Sequence, residues 1–285
     1  MTGIATHTKI ADLRRHLDDC RGRGSTVGFV ATMGYLHAGH QSLMRRAAAE
    51  NDLVVASIFV NPLQFAADED LDDYPHDIER DTALCAEAGV DVLFVPSVDE
   101  MYPEPVLTTV TVAGISEPLE GRSRPTHFAG VATVVAKLFA IVGPCTAYFG
   151  EKDFQQLAVI RRMTADLSLP VRVVGCDVVR EADGLAMSSR NSYLTAAERA
   201  EATVLRQALD AGLDLIAAGE RDPAVVEATM TEVIERSDAA SVDYVAAVPA
   251  ATLVGSGPLG GEVRLLVAAR LGSTRLIDNA GCTVR

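Results

Sequence analysis

Hydrophobic and polar positions follow two rhythms through the first two-thirds of the chain. Short runs of apolar, often β-branched residues at 27–31, 53–60, 91–95, 147–149 and 171–175 predict strands. Between them, residues 40–50, 77–88, 131–142 and 154–167 carry apolar positions at helical spacing. Strands that are apolar almost throughout are those covered on both faces. Their alternation with helices predicts an α/β fold built on a doubly wound parallel sheet.

The last third reads differently. Residues 195–218 and 223–237 predict helices, the first opened by Thr195 and Glu198 at the spacing of a capping box. Residues 243–248, 263–269 and 274–277 then predict strands separated by Gly/Pro-rich turns. Helices followed by strands imply a smaller C-terminal α+β domain, so the expected division is 1–187 and 188–285. The polar stretch 61–76 is too long for an ordinary connection and is a candidate functional loop.

With 285 residues, 48% of them hydrophobic, the chain can bury a self-sufficient core, which excludes a mainly disordered protein. A net charge of −14 repels phosphate backbones, so broad nucleic-acid or anionic-membrane binding is not expected. Any anionic ligand needs a local cluster of cations, and the lysines are few: Lys9, Lys137 and Lys152. Cys20, Cys85, Cys145, Cys176 and Cys282 are scattered without a CxxC pair, which supports neither a zinc knuckle nor a disulfide framework. The N-terminus lacks the apolar core of a signal peptide, and the longest uncharged stretch, 244–261, is broken by prolines and glycines. The expectation is a reduced, cytoplasmic protein.

Chemistry concentrates where the first of these strands gives way to a helix, at Thr32-Met33-Gly34-Tyr35-Leu36-His37-Ala38-Gly39-His40. A glycine-bearing strand-to-helix turn presents backbone N–H groups and a helix N-terminus to phosphate. The spacing fits neither the dinucleotide fingerprint GxGxxG nor the Walker GxxxxGK[ST]. Zinc helices pair histidines at i and i+4 with a glutamate, a pattern absent here; incidental surface histidines are the other alternative.

HAGH at this position resembles the HIGH-type signature of the Rossmann-like adenylyl-transferring superfamily. The wider TMGYLHAGHQSL resembles the pantothenate synthetase family within it. Further segments resemble that family in order: Phe59-Val60-Asn61-Pro62-Leu63-Gln64-Phe65, Arg124-Pro125-Thr126-His127-Phe128-Ala129-Gly130-Val131 and Phe149-Gly150-Glu151-Lys152-Asp153-Phe154-Gln155-Gln156. Met187-Ser188-Ser189-Arg190-Asn191 and Arg275-Leu276-Ile277-Asp278-Asn279 complete the set.

The resemblance implies an ATP-dependent ligase that joins (R)-pantoate to β-alanine through a pantoyl adenylate, releasing AMP and diphosphate. It implies ATP with Mg²⁺ as co-substrate, no bound organic cofactor, unknown metal ligands and a homodimer contacting through its N-terminal domain. It places Met33, Gly34, Tyr35, Leu36, His37, Ala38, Gly39 and His40 on the nucleotide. Gly150, Glu151, Lys152, Asp153, Val179, Met187, Ser188, Ser189 and Arg190 join them, with Val179 where backbone meets adenine. His37, His40 and Lys152 are the catalytic candidates. His40 stands in the position usually assigned as proton donor, a task an imidazolium binding phosphate by hydrogen bonds would also serve. Gln64 and Gln156 are assigned to pantoate, with Gln64 also touching β-alanine; neutral amides hold a carboxylate without quenching it as a tight arginine pair would. Arg124, His127 and Tyr74 fall in matched segments with either binding or structural roles. A C-terminal domain whose MSSR segment lies at the junction is expected to close over the nucleotide.

Three positions depart from the family pattern: Ala31 in place of proline, His76 in place of arginine, and Cys145 where aspartate is commoner and a turn substitution is expected. None touches the nucleotide signature. Two other functions compete. One is another HIGH-type adenylyl transferase whose product retains AMP; the other is a catalytically dead nucleotide sensor, disfavoured because His37, His40, Lys152 and Arg190 are all present.

Overall fold

Helix and strand alternate from the first residues onward. The computed structural model describes residues 3–65, 71 and 74–285. The first elements are β1 (Ala5–His7), α1 (Ile10–Gly22), β2 (Val27–Thr32), α2 (Ala38–Glu50), β3 (Leu53–Ile58), α3 (Ile78–Glu87) and β4 (Val92–Phe94). Two short helices, α4 (Val98–Met101) and α5 (Glu120–Ser123), precede α6 (His127–Val142), β5 (Cys145–Gly150), α7 (Phe154–Asp166) and β6 (Val171–Cys176). The remainder is α8 (Ala196–Glu201), α9 (Val204–Ala217), α10 (Pro223–Ile234), β7 (Ala240–Pro249), β8 (Gly261–Leu271) and β9 (Thr274–Val284).

Strands β1 to β6 form a parallel sheet in the order β1-β4-β3-β2-β5-β6. Consecutive side chains on a strand point to opposite faces, and here each face is buried. Phe29, Val55, Val92 and Phe94 enter a core shared with Leu13, Val135, Phe139 and Ile160, whereas Val30, Val54, Ala56 and Leu93 pack with Met44, Ala47 and Cys85. This is the doubly wound α/β arrangement, with its order reversing between β2 and β5. Crevices at the carboxyl ends of strands flanking such a reversal are where α/β sheets bind ligands.

The chain divides into two compact units. The first holds Met1–Glu151 and Gln156–Asp177; the second holds Lys152–Gln155 and Val178–Arg285. In the second, β7, β8 and β9 make an antiparallel sheet whose Leu265, Val267 and Leu276 pack against Leu205, Leu209, Val226 and Met230 of α9 and α10. Thr195 and Glu198 form the expected capping box on α8.

The elements differ from expectation at several points. β1 and α1 have no counterpart among the expected elements: three residues are too few to show a period, yet Leu13, Leu17 and Cys20 do form a buried stripe on α1. The helix expected over 195–218 breaks into α8 and α9 at Ala202-Thr203. β9 runs to Val284, past the expected 277; the buried polar residues Asp278 and Asn279 inside it interrupt the apolar pattern that marks a strand. The second unit begins at Val178, ten residues before the expected boundary at 188, and takes Lys152–Gln155 with it. Cys145 is the first residue of β5, and not part of a turn. Within the expected loop 61–76, residues 66–70, 72 and 73 lie outside the described residues.

Candidate active site

In the first unit, the turn after β2 is shaped by hydrogen bonds to its backbone. Thr32 Oγ1 donates to the Ser57 carbonyl at 2.8 Å and accepts from Gly34 N–H at 3.3 Å. Gly34 has φ +89°, and a Cβ there would sit 3.0 Å from Asp81 Oδ2 and 3.2 Å from Ile58 Cγ2, so any side chain would be strained and would press on Asp81. Tyr35 also lies in the left-handed region, at φ +50°. Its N–H donates to Asp81 Oδ2 at 2.7 Å, and Leu36 N–H donates to Asp81 Oδ1 at 2.8 Å.

Asp81 comes from α3 and is buried. Its neighbour Arg80 approaches it to 3.6 Å, donates to the Leu36 carbonyl at 3.0 Å and lies 5.3 Å from the Tyr35 ring centroid. Leu36 is fully buried beside Met44 and pins the middle of the turn. Neither Arg80 nor Asp81 is a candidate on sequence grounds. They sit more than 40 residues from the turn, in a helix whose spacing predicts only an amphipathic surface.

His37 is the N-cap of α2, which therefore starts at Ala38, ahead of the expected residue 40. Gly39 N–H donates to His37 Nδ1 at 3.1 Å, and His37 N–H donates to His40 Nδ1 at 3.3 Å. A nitrogen that accepts these bonds carries no proton, so the hydrogen of each neutral imidazole sits on Nε2. The rings lie 4.1 Å apart between centroids. Two imidazoliums at that distance would repel and would lose both capping bonds. The geometry thus supplies neutral Nε2–H donors. With no acidic residue in its first turn, α2 also directs the positive end of its dipole outward.

Beside this turn, Gln64 is buried, donating from Nε2 to Met33 Sδ at 2.8 Å and accepting from Asn61 Nδ2 at 3.2 Å. Asn61 is the organiser here. Its Oδ1 caps the short 3-10 turn Pro62–Gln64 through Leu63 N–H and accepts from Tyr102 O–H at 2.9 Å. Burial pushes the Tyr102 phenol up to about 12, so it stays a donor. A Cβ at Gly130 would run into the Leu63 carbonyl, so glycine there lets α6 approach the turn. His127 Nδ1 donates to the Gln64 carbonyl at 3.0 Å, and Arg124 donates to it at 3.4 Å and to His127 Nε2 at 3.2 Å. These two side chains hold the Gln64 backbone. His76 Nδ1 donates to the Tyr74 carbonyl at 3.1 Å. Gly150 ends β5, the other strand at the reversal, Glu151 opens the 3-10 turn Glu151–Asp153 that follows, and Gln156 is half-buried on the first turn of α7.

The second unit holds the remaining candidates. Lys152 keeps 19% of its side chain exposed, with Nζ 3.6 Å from Asp153 Oδ1. Met187 N–H donates to the Val179 carbonyl at 2.9 Å, and an isolated bridge joins Arg180 to Ala186, so Val179 and Met187 are paired across a loop. Ser188 Oγ accepts from Arg190 N–H at 3.3 Å and opens the 3-10 turn Ser189–Tyr193. The loop is anchored by Arg180, whose guanidinium donates to both Asp278 oxygens at 2.6 and 3.0 Å. Among the described residues, no group of three or more His, Cys, Asp or Glu side chains is placed to hold a metal ion, and no helix is long and apolar enough to cross a membrane.

Comparison with known proteins agrees with this architecture. Residues 5–281 match the family model described as pantoate-beta-alanine ligase. A pantothenate synthetase of Heliobacterium modesticaldum is 57% identical over 90% of this chain and 91% of its own, and that of Sinorhizobium medicae is 54% identical over 97% and 95%. The crystal structure of pantothenate synthetase from Thermus thermophilus superposes with a TM-score of 0.92 at 49% identity, covering 97% of this chain and 99% of that one. A Francisella tularensis pantoate-beta-alanine ligase, complexed with beta-gamma ATP and beta-alanine, superposes at 0.79 with 32% identity over 98% and 97%. The matches run nearly end to end over both units, and the chain belongs to the pantoate–β-alanine ligase family.

Proposed function

We propose that the chain condenses (R)-pantoate with β-alanine at the expense of ATP, giving pantothenate, AMP and diphosphate. The observation that carries the reading is the turn after β2: two imidazoles with Nε2–H donors at a helix N-terminus, at the sheet reversal, beside a buried and fully oriented Gln64. The relatives' names and the nucleotide and β-alanine of the Francisella complex support the same assignment. In the first step a pantoate carboxylate oxygen attacks the α-phosphorus, and the bond to the bridging oxygen breaks as diphosphate leaves. In the second the β-alanine nitrogen attacks the acyl carbon, AMP departs with the former carboxylate oxygen, and the nitrogen loses a proton.

Within the first unit, backbone and side chains from Met33 to His40 hold the nucleotide. His37 and His40 donate from Nε2 to phosphate oxygens where charge builds up. Gly150 and Glu151 complete its border. Gln64 and Gln156 hold pantoate by neutral amides, which leave its carboxylate nucleophilic. Within the second unit, Lys152, Asp153, Ser188, Ser189 and Arg190 act on phosphate, while Val179 and Met187 meet the adenine. ATP brings about four negative charges, so these cations are needed against the chain's acidic field. Mg²⁺ fits as an ion carried on ATP phosphates and waters, since it is commonly held by few protein ligands; bound there, it supplies further positive charge to the departing diphosphate. A homodimer formed through the first unit is part of the same reading, and sedimentation velocity checks it.

The test is isotope exchange between ATP and diphosphate. Exchange that requires pantoate, followed on adding β-alanine by equimolar AMP and pantothenate, is the expected result. A product that retains AMP would identify a different adenylyl transferase, and pantoate-independent ATP binding without exchange would identify a sensor.

A further inference from the structure

The segment Arg275-Leu276-Ile277-Asp278-Asn279 has no task in the reaction just described, yet its last two residues are each only 2% exposed. A buried amide or carboxylate is costly unless its hydrogen bonds are met. Here they are met in one direction. Asn279 Nδ2 donates to the Lys152 carbonyl at 2.8 Å, across 127 positions of sequence and within one compact unit. Asn279 Oδ1 accepts from Arg264 Nη1 at 3.0 Å, and Asn279 N–H donates to Asp278 Oδ1 at 2.7 Å. Arg180 grips the Asp278 carboxylate with both terminal nitrogens and also donates to the Asn279 carbonyl at 3.3 Å. The Arg264 guanidinium stacks 3.7 Å from the centroid of the Phe154 ring, two residues after Lys152.

We propose that Asn279 is a positioning residue for Lys152. The peptide plane is rigid, so a bond to the Lys152 carbonyl fixes the root of a long side chain with rotatable donors. Arg180 and Asp278 hold Asn279, Arg264 orients its amide and clamps Phe154, and the segment Lys152–Gln155 is thereby fastened to the unit that carries Ser188, Ser189 and Arg190. The lysine and the MSSR cluster share one frame.

This inference rests on the assignment of Lys152 to phosphate, and the experiment separates the two. Asn279→Ala, Lys152→Ala and the double variant are assayed for pantoate-dependent ATP–diphosphate exchange, and separately for pantothenate from chemically made pantoyl adenylate and β-alanine. Lys152→Ala is expected to lose roughly 10²–10³-fold in exchange, and Asn279→Ala up to about 10²-fold, with turnover of the supplied adenylate retained in both. Asn279 acting through Lys152 requires that the double variant be no worse than Lys152→Ala. Asn279→Asp, which keeps the volume but sets a carboxylate oxygen against the Lys152 carbonyl, must show the same pattern and serves if the alanine variant does not fold. Additional loss in the double variant, or equal loss in both half-reactions, overturns the positioning role. Wild-type exchange in Lys152→Ala removes the assignment of Lys152 itself, and the inference with it.

Discussion

The turn after β2 and the segment after β5 both leave the carboxyl edge of the sheet at its reversal, yet they are held in different ways. His37 and His40 draw on neighbours within three residues: their own backbone supplies the bonds to both Nδ1 atoms. Lys152 is fixed through Asn279, 127 residues away, and through an ion pair behind it. The first arrangement draws on a correct turn, with Asp81 underneath. The second needs a folded antiparallel sheet before the lysine has a defined root. Under the function proposed above a local motif and a tertiary one both take part, and they should fail differently.

The largest expected effect is on the tertiary side. Arg180 and Asp278 form a nearly buried pair, 18% and 1% exposed. Arg180→Met leaves Asp278 buried without that cation, and breaking one partner of such a pair costs about 3–5 kcal/mol. Hydrogen exchange should show protection in β9 falling sharply, with exchange of ATP and diphosphate reduced in parallel. Undiminished protection of β9 would mean that the ion pair does not anchor this segment.

Next comes the local side. Asp81→Asn keeps one acceptor oxygen but turns an NH₂ toward one of the N–H groups of Tyr35 and Leu36, so one of two bonds is replaced by a repulsive contact. Adenylate formation should fall by about 10²-fold through misplacement of the turn. Amide exchange at Tyr35 and Leu36 should accelerate while that of β8 and β9 stays as in the wild type. Equal acceleration in both places would break the distinction between local and tertiary support.

That distinction also sets what was legible in the sequence. Met33 to His40 could be read because the glycine, the capping histidines and the helix they start are contiguous. The parallel sheet was legible because β2, β3 and β5 are covered on both faces and show it as unbroken apolar runs. Asp81 lies outside every matched segment, and Asn61 and Asn279 lie inside one without a task, since each is an ordinary polar residue whose partner is brought near only by folding. Asn279 went further and concealed half of its own strand: two buried polar residues interrupt the apolar pattern of β9. The domain boundary shifted for the same reason. Val178 to Met187 look like a continuation of the first unit, and contacts made only on folding assign them to the second: Arg180 bonded 98 residues ahead to Asp278, Asp183 paired with Arg199, and Leu185 in the second core. On α1 the stripe of Leu13, Leu17 and Cys20 stands at helical spacing and is legible in the sequence.

The smallest expected effect sharpens the local side of the comparison by giving it a pH dependence. Tyr102 O–H donates to Asn61 Oδ1, and Asn61 in turn orients Gln64. Tyr102→Phe removes one neutral hydrogen bond, worth about 1 kcal/mol, and should raise the KM for pantoate modestly while leaving the KM for ATP as it was. Burial raises this phenol from its ordinary value near 10 to about 12. The folded state therefore holds its proton more tightly than the unfolded state does. Its contribution is present in full below about pH 10 and is lost as the pH rises toward 12. Burial also pushes the thiols of Cys85 and Cys145 up to about 12, but both proteins share them, so they cancel in the difference. Urea unfolding of wild type and variant between pH 7 and 11 should give a stability difference that is constant up to about pH 10 and narrows above it. A difference that stays level to pH 11, or widens, would show that the phenol is not held neutral behind Asn61, and the chain of support from Tyr102 to Gln64 would have to be redrawn.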